Sequence, residues 1–170
     1  MQATDSRLSA TSMSTEIQVD VQIASKAGSV PQLEDINGWI AAAIAAVDPG
    51  SACEVSVRIV DEDEGRSLNR EYRNKDYATN VMSFSAGAAP SSLPPDVPKA
   101  LGDIVICGPV VEKEAAAQNK TVADHWGHLL VHGTLHLLGH DHEDDQSAAA
   151  MELIETGILT GKGVPNPYDC

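Results

Sequence analysis

The sequence predicts an α/β (α+β) domain in which helices pack over a single mixed sheet of about four strands, with a metal-binding helix at the centre. Three observations predict it. Glu16–Ile23 and Cys53–Val60 alternate polar and apolar residues with the period of a half-exposed strand, and an amphipathic helical stripe lies between them. A later segment from Thr121 to Leu138 is apolar nearly all round, as a helix buried in the middle of a fold must be. The chain of 170 residues is long enough to bury one core and short for two.

Each element carries its own signal. After the first strand, Pro31 opens a helix whose stripe is Leu33, Ile36, Trp39, Ile40, Ala43 and Val47, stopped by Pro49 and Gly50. Cys53–Val60 follows as the second strand. Asp61 is placed to cap a short helix through about Tyr72, with acidic residues in the first turn where the helix dipole favours them. Val81–Phe84 and Asp103–Cys107 read as two short strands. Between them AGAAPSSLPPDVPKA, with four of the nine prolines, reads as a loop. Pro109 starts a helix to about Asn119, Thr121 caps the apolar helix, and Asp145 or Ser147 starts a last one through Ile158.

The expected division is an N-terminal arm over residues 1–15, polar and disordered, then a single catalytic domain over 16–162 and a tail over 163–170. No apolar run approaches the 18 residues of a membrane span, and the N-terminus resembles neither a signal nor a transit peptide, so the cytoplasm is the expected location. Cys53 and Cys107 sit in strand-like apolar runs and Cys170 is the last residue, without a CxxC pair. Buried reduced thiols are the expectation for the first two.

All six histidines fall between His125 and His142. His125, His128, His132 and His136 lie within an arc of about 80° on a helix, but a stripe is not a site. His128 and His136 are separated by about 12 Å of helix axis, too far for one ion bonded at about 2.0–2.1 Å. The usable pairs are His128 with His132 and His132 with His136, each about 6 Å apart along the axis. Only the second is followed by a glycine, Gly139, that can reverse the chain and return a third histidine. His140 and His142 compete for that place; the spacing of HExxHxxGxxH sites favours His142. The glutamate that serves zinc proteases as general base is replaced here by Gly133, which disfavours peptide hydrolysis. Three imidazoles leave a coordination position open for water or an anionic oxygen. They suit zinc, one ion per chain, although copper and nickel also accept such ligands.

HGTLHLLGHDH, preceded by HWGH, resembles the signature of the bacterial YbeY family of rRNA-maturation endoribonucleases, approximately HGxLHLxGxDH. LNREYRNKDYATNVMSF, from Leu68 to Phe84, resembles that family's LNxxYRxKDxxTNVLSF, and LGDIVIC, from Leu101 to Cys107, resembles its LGDIxI strand. The likeness covers roughly Glu16 to Leu159. Met82 stands where leucine is usual, Ala78 where proline is common and His140 where an aromatic is common. The resemblance implies a zinc-dependent endoribonuclease of single-stranded RNA acting in rRNA maturation and ribosome quality control. Its implied partners are ribosomal RNA, the ribosome and small-subunit assembly proteins, and neither DNA nor a membrane. It also implies that Arg73, the arginine of the family's YR, lies in the active-site groove.

The net charge of −14, from 11 basic and 25 acidic residues, argues against broad nucleic-acid affinity. Arg58, Arg66, Arg70, Arg73 and Lys75 nevertheless place five of the 11 basic residues within 18 positions, interleaved with acids such as Glu64 and Glu71. A solvated helix laced with salt bridges explains Arg66 and Arg70 as well as substrate contact does. The candidate catalytic residues are Arg73 and His136, with His132, His136 and His142 as metal ligands. A guanidinium presents the paired donors that a phosphate matches. Asp141 and His128 are candidates to orient an imidazole, and Arg70, Lys75, Asn80 and Ser83 are candidates to bind substrate. Thr79 belongs to the same stretch, Asp103 has no clear place, and no general base is assigned. Two other functions fit the same residues: a noncatalytic ribosome-assembly factor with a structural zinc, and a metal-dependent hydrolase of another substrate.

Overall fold

A computed structural model of the chain describes residues 17–50, 52–86, 98–140 and 144–167. The elements, in order, are β1 (Ile17–Ala24), α1 (Leu33–Val47), β2 (Cys53–Val60), α2 (Glu62–Arg73), β3 (Val81–Ser85), β4 (Lys99–Cys107), α3 (Gly108–Ala117), α4 (Val122–Leu137) and α5 (Asp145–Gly161). They form one four-stranded sheet in the order β1-β2-β4-β3. β1, β2 and β4 run parallel, and β3 is an antiparallel edge strand on β4 with Ser83 opposite Ile104. The predicted α/β (α+β) architecture is the observed one.

Alternation places Val55, Val57 and Ile59 of β2 and Ile104 and Ile106 of β4 on one face of the sheet. There they meet Ile36, Ile40 and Ile44 of α1 and Trp126, Leu129 and Leu130 of α4. Fully burying each large aliphatic side chain is worth about 1.5–3 kcal/mol, so this layer is the main core. α5 closes a second cluster in which Met151 and Leu159 pack on Val131 and Leu135 of α4. The other sheet face is covered in part by α2, where Leu68 packs near Met82 and Val105. α4 thus touches the sheet, α1, α3 and α5, the central position its all-round apolarity predicts.

Several boundaries differ from expectation. β4 starts at Lys99, so Lys99 and Ala100 belong to strand rather than loop, and Ala52 O accepts the Lys99 amide at 2.9 Å to extend the ladder. The remaining proline-rich residues, 87–97, lie outside the described residues, as do residues 1–16, which include the expected arm. α3 stops at Ala117, and Asn119 takes a left-handed conformation, φ 56°. α5 begins at Asp145, capped by the Asp144 carboxylate, and runs to Gly161, beyond Ile158.

Asp61 stands at the N-cap of α2, but its side chain makes no cap bond. The carboxylate instead accepts the hydroxyl of Ser25 at 2.5 Å and the amide of Lys26, tying the chain after β1 to the start of α2. Cys53 and Cys107 are both buried. Among the described residues no helix is long and apolar enough to cross a membrane.

Candidate metal centre and substrate cleft

Both ends of α4 are fixed by local chemistry. Thr121 Oγ1 accepts the Asp124 amide at 3.1 Å, the capping bond its position predicts. At the other end Gly139 has φ +99°, Gly139 N donates to His136 O and His140 N donates to Leu135 O. This is a Schellman ending, which satisfies two orphan carbonyls and reverses the chain just after His136. His142 and Asp141 lie outside the described residues.

With its apolar faces committed to neighbours, α4 presents His125, His128, His132 and His136 to a cleft of about 750 Å³. Side-chain exposure is 3%, 14% and 23% at His125, His128 and His132, so the stripe emerges from the core towards its C-terminal end. His132 Nε2 and His136 Nε2 stand 3.2 Å apart. Two nitrogens bonded to one tetrahedral ion at about 2.0–2.1 Å sit about 3.3 Å apart, so the pair already has ligand spacing.

The remaining nitrogen of His132 meets a residue that the sequence reading did not identify. Glu155 of α5 has no solvent exposure; its Oε2 lies 2.5 Å from His132 Nδ1 and its Oε1 3.2 Å from His128 Nε2. His128, His132 and Glu155 could themselves be taken for a ligand group, since an atom from each lies within 4.8 Å of the others. A separation of 2.5 Å, however, is a hydrogen bond; a shared ion would hold the two atoms about 0.8 Å further apart. The 3.2 Å between the His132 and His136 nitrogens is a ligand spacing, and the 2.5 Å between His132 and Glu155 is not. A signal for Glu155 was available: Met151, Glu155 and Leu159 form the buried stripe of α5, and a carboxylate in an apolar stripe requires a partner.

The facing wall of the cleft comes from the end of α2, the turn after it and β3. Arg73, Lys75, Thr79, Asn80 and Ser83 all line it, together with His128, His132 and His136. Arg73 Nη2 donates to Ser83 O at 2.7 Å, and its guanidinium lies over the Phe84 ring, 5.3 Å from the centroid. These contacts fix the fork and leave other N–H groups for a ligand. Arg70 does not join them. It points to Asp76 at 3.7 Å, and Arg66 forms a two-point pair with the same carboxylate at 2.7 and 3.0 Å. Arg58 is likewise held by Glu64, at 2.6 and 3.0 Å. Three of the five clustered basic residues are thus engaged by acids outside the cleft, which is the salt-bridged helix of the plainer reading.

Asn80 lines the cleft but is already tied. Its amide donates to Glu114 at 3.0 and 3.3 Å and its carbonyl accepts the Val81 amide at 2.6 Å, which anchors the start of β3 to α3. Glu114 also meets His125 Nε2 at 2.9 Å. Burial pushes the His125 pKa below the ordinary imidazole value, and Glu114 only partly opposes this. Asp103 is exposed on the other sheet face, in a groove with Arg58 and Phe84, away from the histidines.

Gly133 explains the missing glutamate. A Cβ there would stand 3.1 Å from Ile104 Cγ2 and 3.3 Å from Ser83 Oγ and Val81 Cγ2. The position faces the sheet at close approach, so a glutamate there would have to displace Ile104, Ser83 and Val81.

The family described as endoribonuclease YbeY matches residues 15–163. Similar relatives bearing the name endoribonuclease YbeY include one from Cellvibrio japonicus, 49% identical over 156 residues, covering 91% of this chain and 85% of the relative. One from Halorhodospira halophila is 51% identical over 140 residues, covering 82% and 89%. The solution structure of a Thermotoga maritima protein superposes with a TM-score of 0.53 at 22% identity over 88% of this chain and 96% of that one, a likeness of fold.

Proposed function

Because the chain belongs to the YbeY endoribonuclease family, we propose that it is a zinc-dependent endoribonuclease that cuts single-stranded RNA. One ion per chain is held by His132, His136 and His142. The observation that carries this reading is the His132–His136 pair, two imidazole nitrogens 3.2 Å apart that open on the cleft lined also by Arg73. Bound zinc supplies Lewis acidity and water activation at neutral pH.

The chain's own groups supply the rest. Arg73, stacked on Phe84 and braced by Ser83 O, presents its free donors to a phosphate and offsets the negative charge that develops on it. Lys75 adds a second cation on the same wall. Ser83 donates its hydroxyl to Gly133 O and lines the same wall. His128, bonded to Glu155, lines the cleft beside the metal pair. The narrow basic strip in an otherwise acidic protein suits a substrate delivered as a specific RNA segment rather than bulk nucleic acid. This fits a cytoplasmic role in rRNA maturation and ribosome quality control, on the ribosome and with small-subunit assembly proteins.

Purified protein should cleave single-stranded RNA and leave duplex RNA, DNA and peptides intact, and His136→Ala should abolish cutting while far-UV circular dichroism is retained. In cells lacking the native gene, that folded variant should bind ribosomes without restoring rRNA processing. Restored processing would favour the noncatalytic assembly role, and preferential turnover of a peptide or a small phosphodiester would favour another hydrolase.

A further inference from the structure

Glu155 is the only fully buried acidic side chain among the described residues. Removing an ionised carboxylate from water costs several kcal/mol unless it is paired, and here both oxygens are committed to imidazoles of α4. We propose that Glu155 is a positioning residue that sets the tautomer of His132. It accepts the Nδ1 proton at 2.5 Å and so leaves Nε2 bare, facing His136 Nε2, before any metal arrives. The inference rests on the reading that His132 and His136 hold the ion.

The chemistry follows from the two ring nitrogens. A free neutral imidazole favours the proton on Nε2, and that tautomer would block the ligand atom. A carboxylate at Nδ1 reverses the preference and fixes the ring plane. Glu155 Oε1 meanwhile holds His128 Nε2 at 3.2 Å, so a single side chain orients two successive imidazoles of the stripe. Because Met151 and Leu159 fix α5 against α4 on either side, the carboxylate is held by the core rather than by a flexible loop. The last helix thereby completes a centre to which it contributes no ligand.

The test uses long-range proton–nitrogen NMR of the imidazoles in metal-free protein, and zinc affinity measured by competition with a chromogenic chelator. Wild-type His132 should carry its proton on Nδ1; Glu155→Gln should populate the Nε2–H form and weaken zinc binding by about 10–100-fold, with circular dichroism unchanged. An Nε2–H tautomer in the wild type would overturn the proposal without recourse to any variant. So would a Glu155→Gln protein with wild-type zinc affinity beside a His132→Ala protein that has lost it. Unchanged affinity in both His132→Ala and His136→Ala would remove the site reading on which the proposal rests.

Discussion

The side-chain hydroxyl of Ser83 donates to the main-chain oxygen of Gly133 over 3.0 Å, clipping edge strand β3 to α4 between the two imidazoles that form the candidate metal pair. A Cβ at position 133 would stand 3.3 Å from the same hydroxyl oxygen. The hydrogen bond joins the two walls of the cleft, since β3 also holds Arg73 through Ser83 O. A single strand residue therefore registers the proposed phosphate clamp against the proposed metal helix.

Gly133→Ala should destabilise the protein by about 1–3 kcal/mol, since its methyl must displace Ile104, Ser83 and Val81 from a close-packed contact. Gly133→Glu, which restores the protease pattern, should be worse and should confer no peptidase activity. Urea unfolding checks the first, and a stable, peptide-cleaving glutamate variant would contradict the packing argument.

Arg73→Lys should lose most of the activity that Arg73→Ala loses, about 10²-fold in kcat, because an ammonium reproduces neither the fork nor the stacking on Phe84. Stability should move by no more than about 0.5 kcal/mol for this exposed side chain. The salt dependence of RNA binding carries a second prediction. With Arg73 and Lys75 as the phosphate contacts, the slope of log affinity against log salt should be about −1.4, falling to about −0.7 in Arg73→Ala. Arg70→Ala should leave both quantities unchanged, and an Arg70 effect equal to that of Arg73 would show the assignment of the cleft wall to be wrong.

Acid should weaken the fold through His125. Its pKa is lowered by burial, and Nδ1 is buried without a hydrogen-bond partner among the described residues, so the folded protein takes up its proton less readily than the unfolded chain. Glu114 pulls the pKa up, while Lys120 and His128 push it down. The unfolded state binds more protons, so this contribution is complete above the unfolded value of about 6.5 and is lost as pH falls through the folded one. Urea midpoints measured from pH 7.5 down to pH 5 should decline less steeply in His125→Gln than in the wild type. Equal slopes would show that other groups carry the acid response.

Local pattern accounts for most of the fold. β1, β2 and α1 alternate or stripe clearly, and Thr121 and Gly139 mark the ends of α4 by side-chain chemistry and by φ respectively. The start of β4 was hidden because Lys99 and Ala100 follow prolines and gain strand character only from pairing with β2. The site divides the same way. His132 and His136 were readable because four residues on a helix fix their separation. Glu155 is marked only as a carboxylate within the apolar stripe of α5; its partners His132 and His128, 23 and 27 residues away, have no local signature, because nothing local encodes the docking of α5 on α4. Arg70 and Arg73 share a helix face and differ only in what folds over them: Asp76 returns to Arg70, and β3 passes under Arg73.

The most direct measurement pairs elemental analysis with RNA cleavage during metal removal and return. Protein stripped by chelator should be folded and inactive on single-stranded RNA. Activity should return in proportion to added zinc and saturate at about one ion per chain, and His136→Ala should regain none. Undiminished cleavage by metal-free protein, purified free of contaminating nuclease, would contradict a metal-centred mechanism.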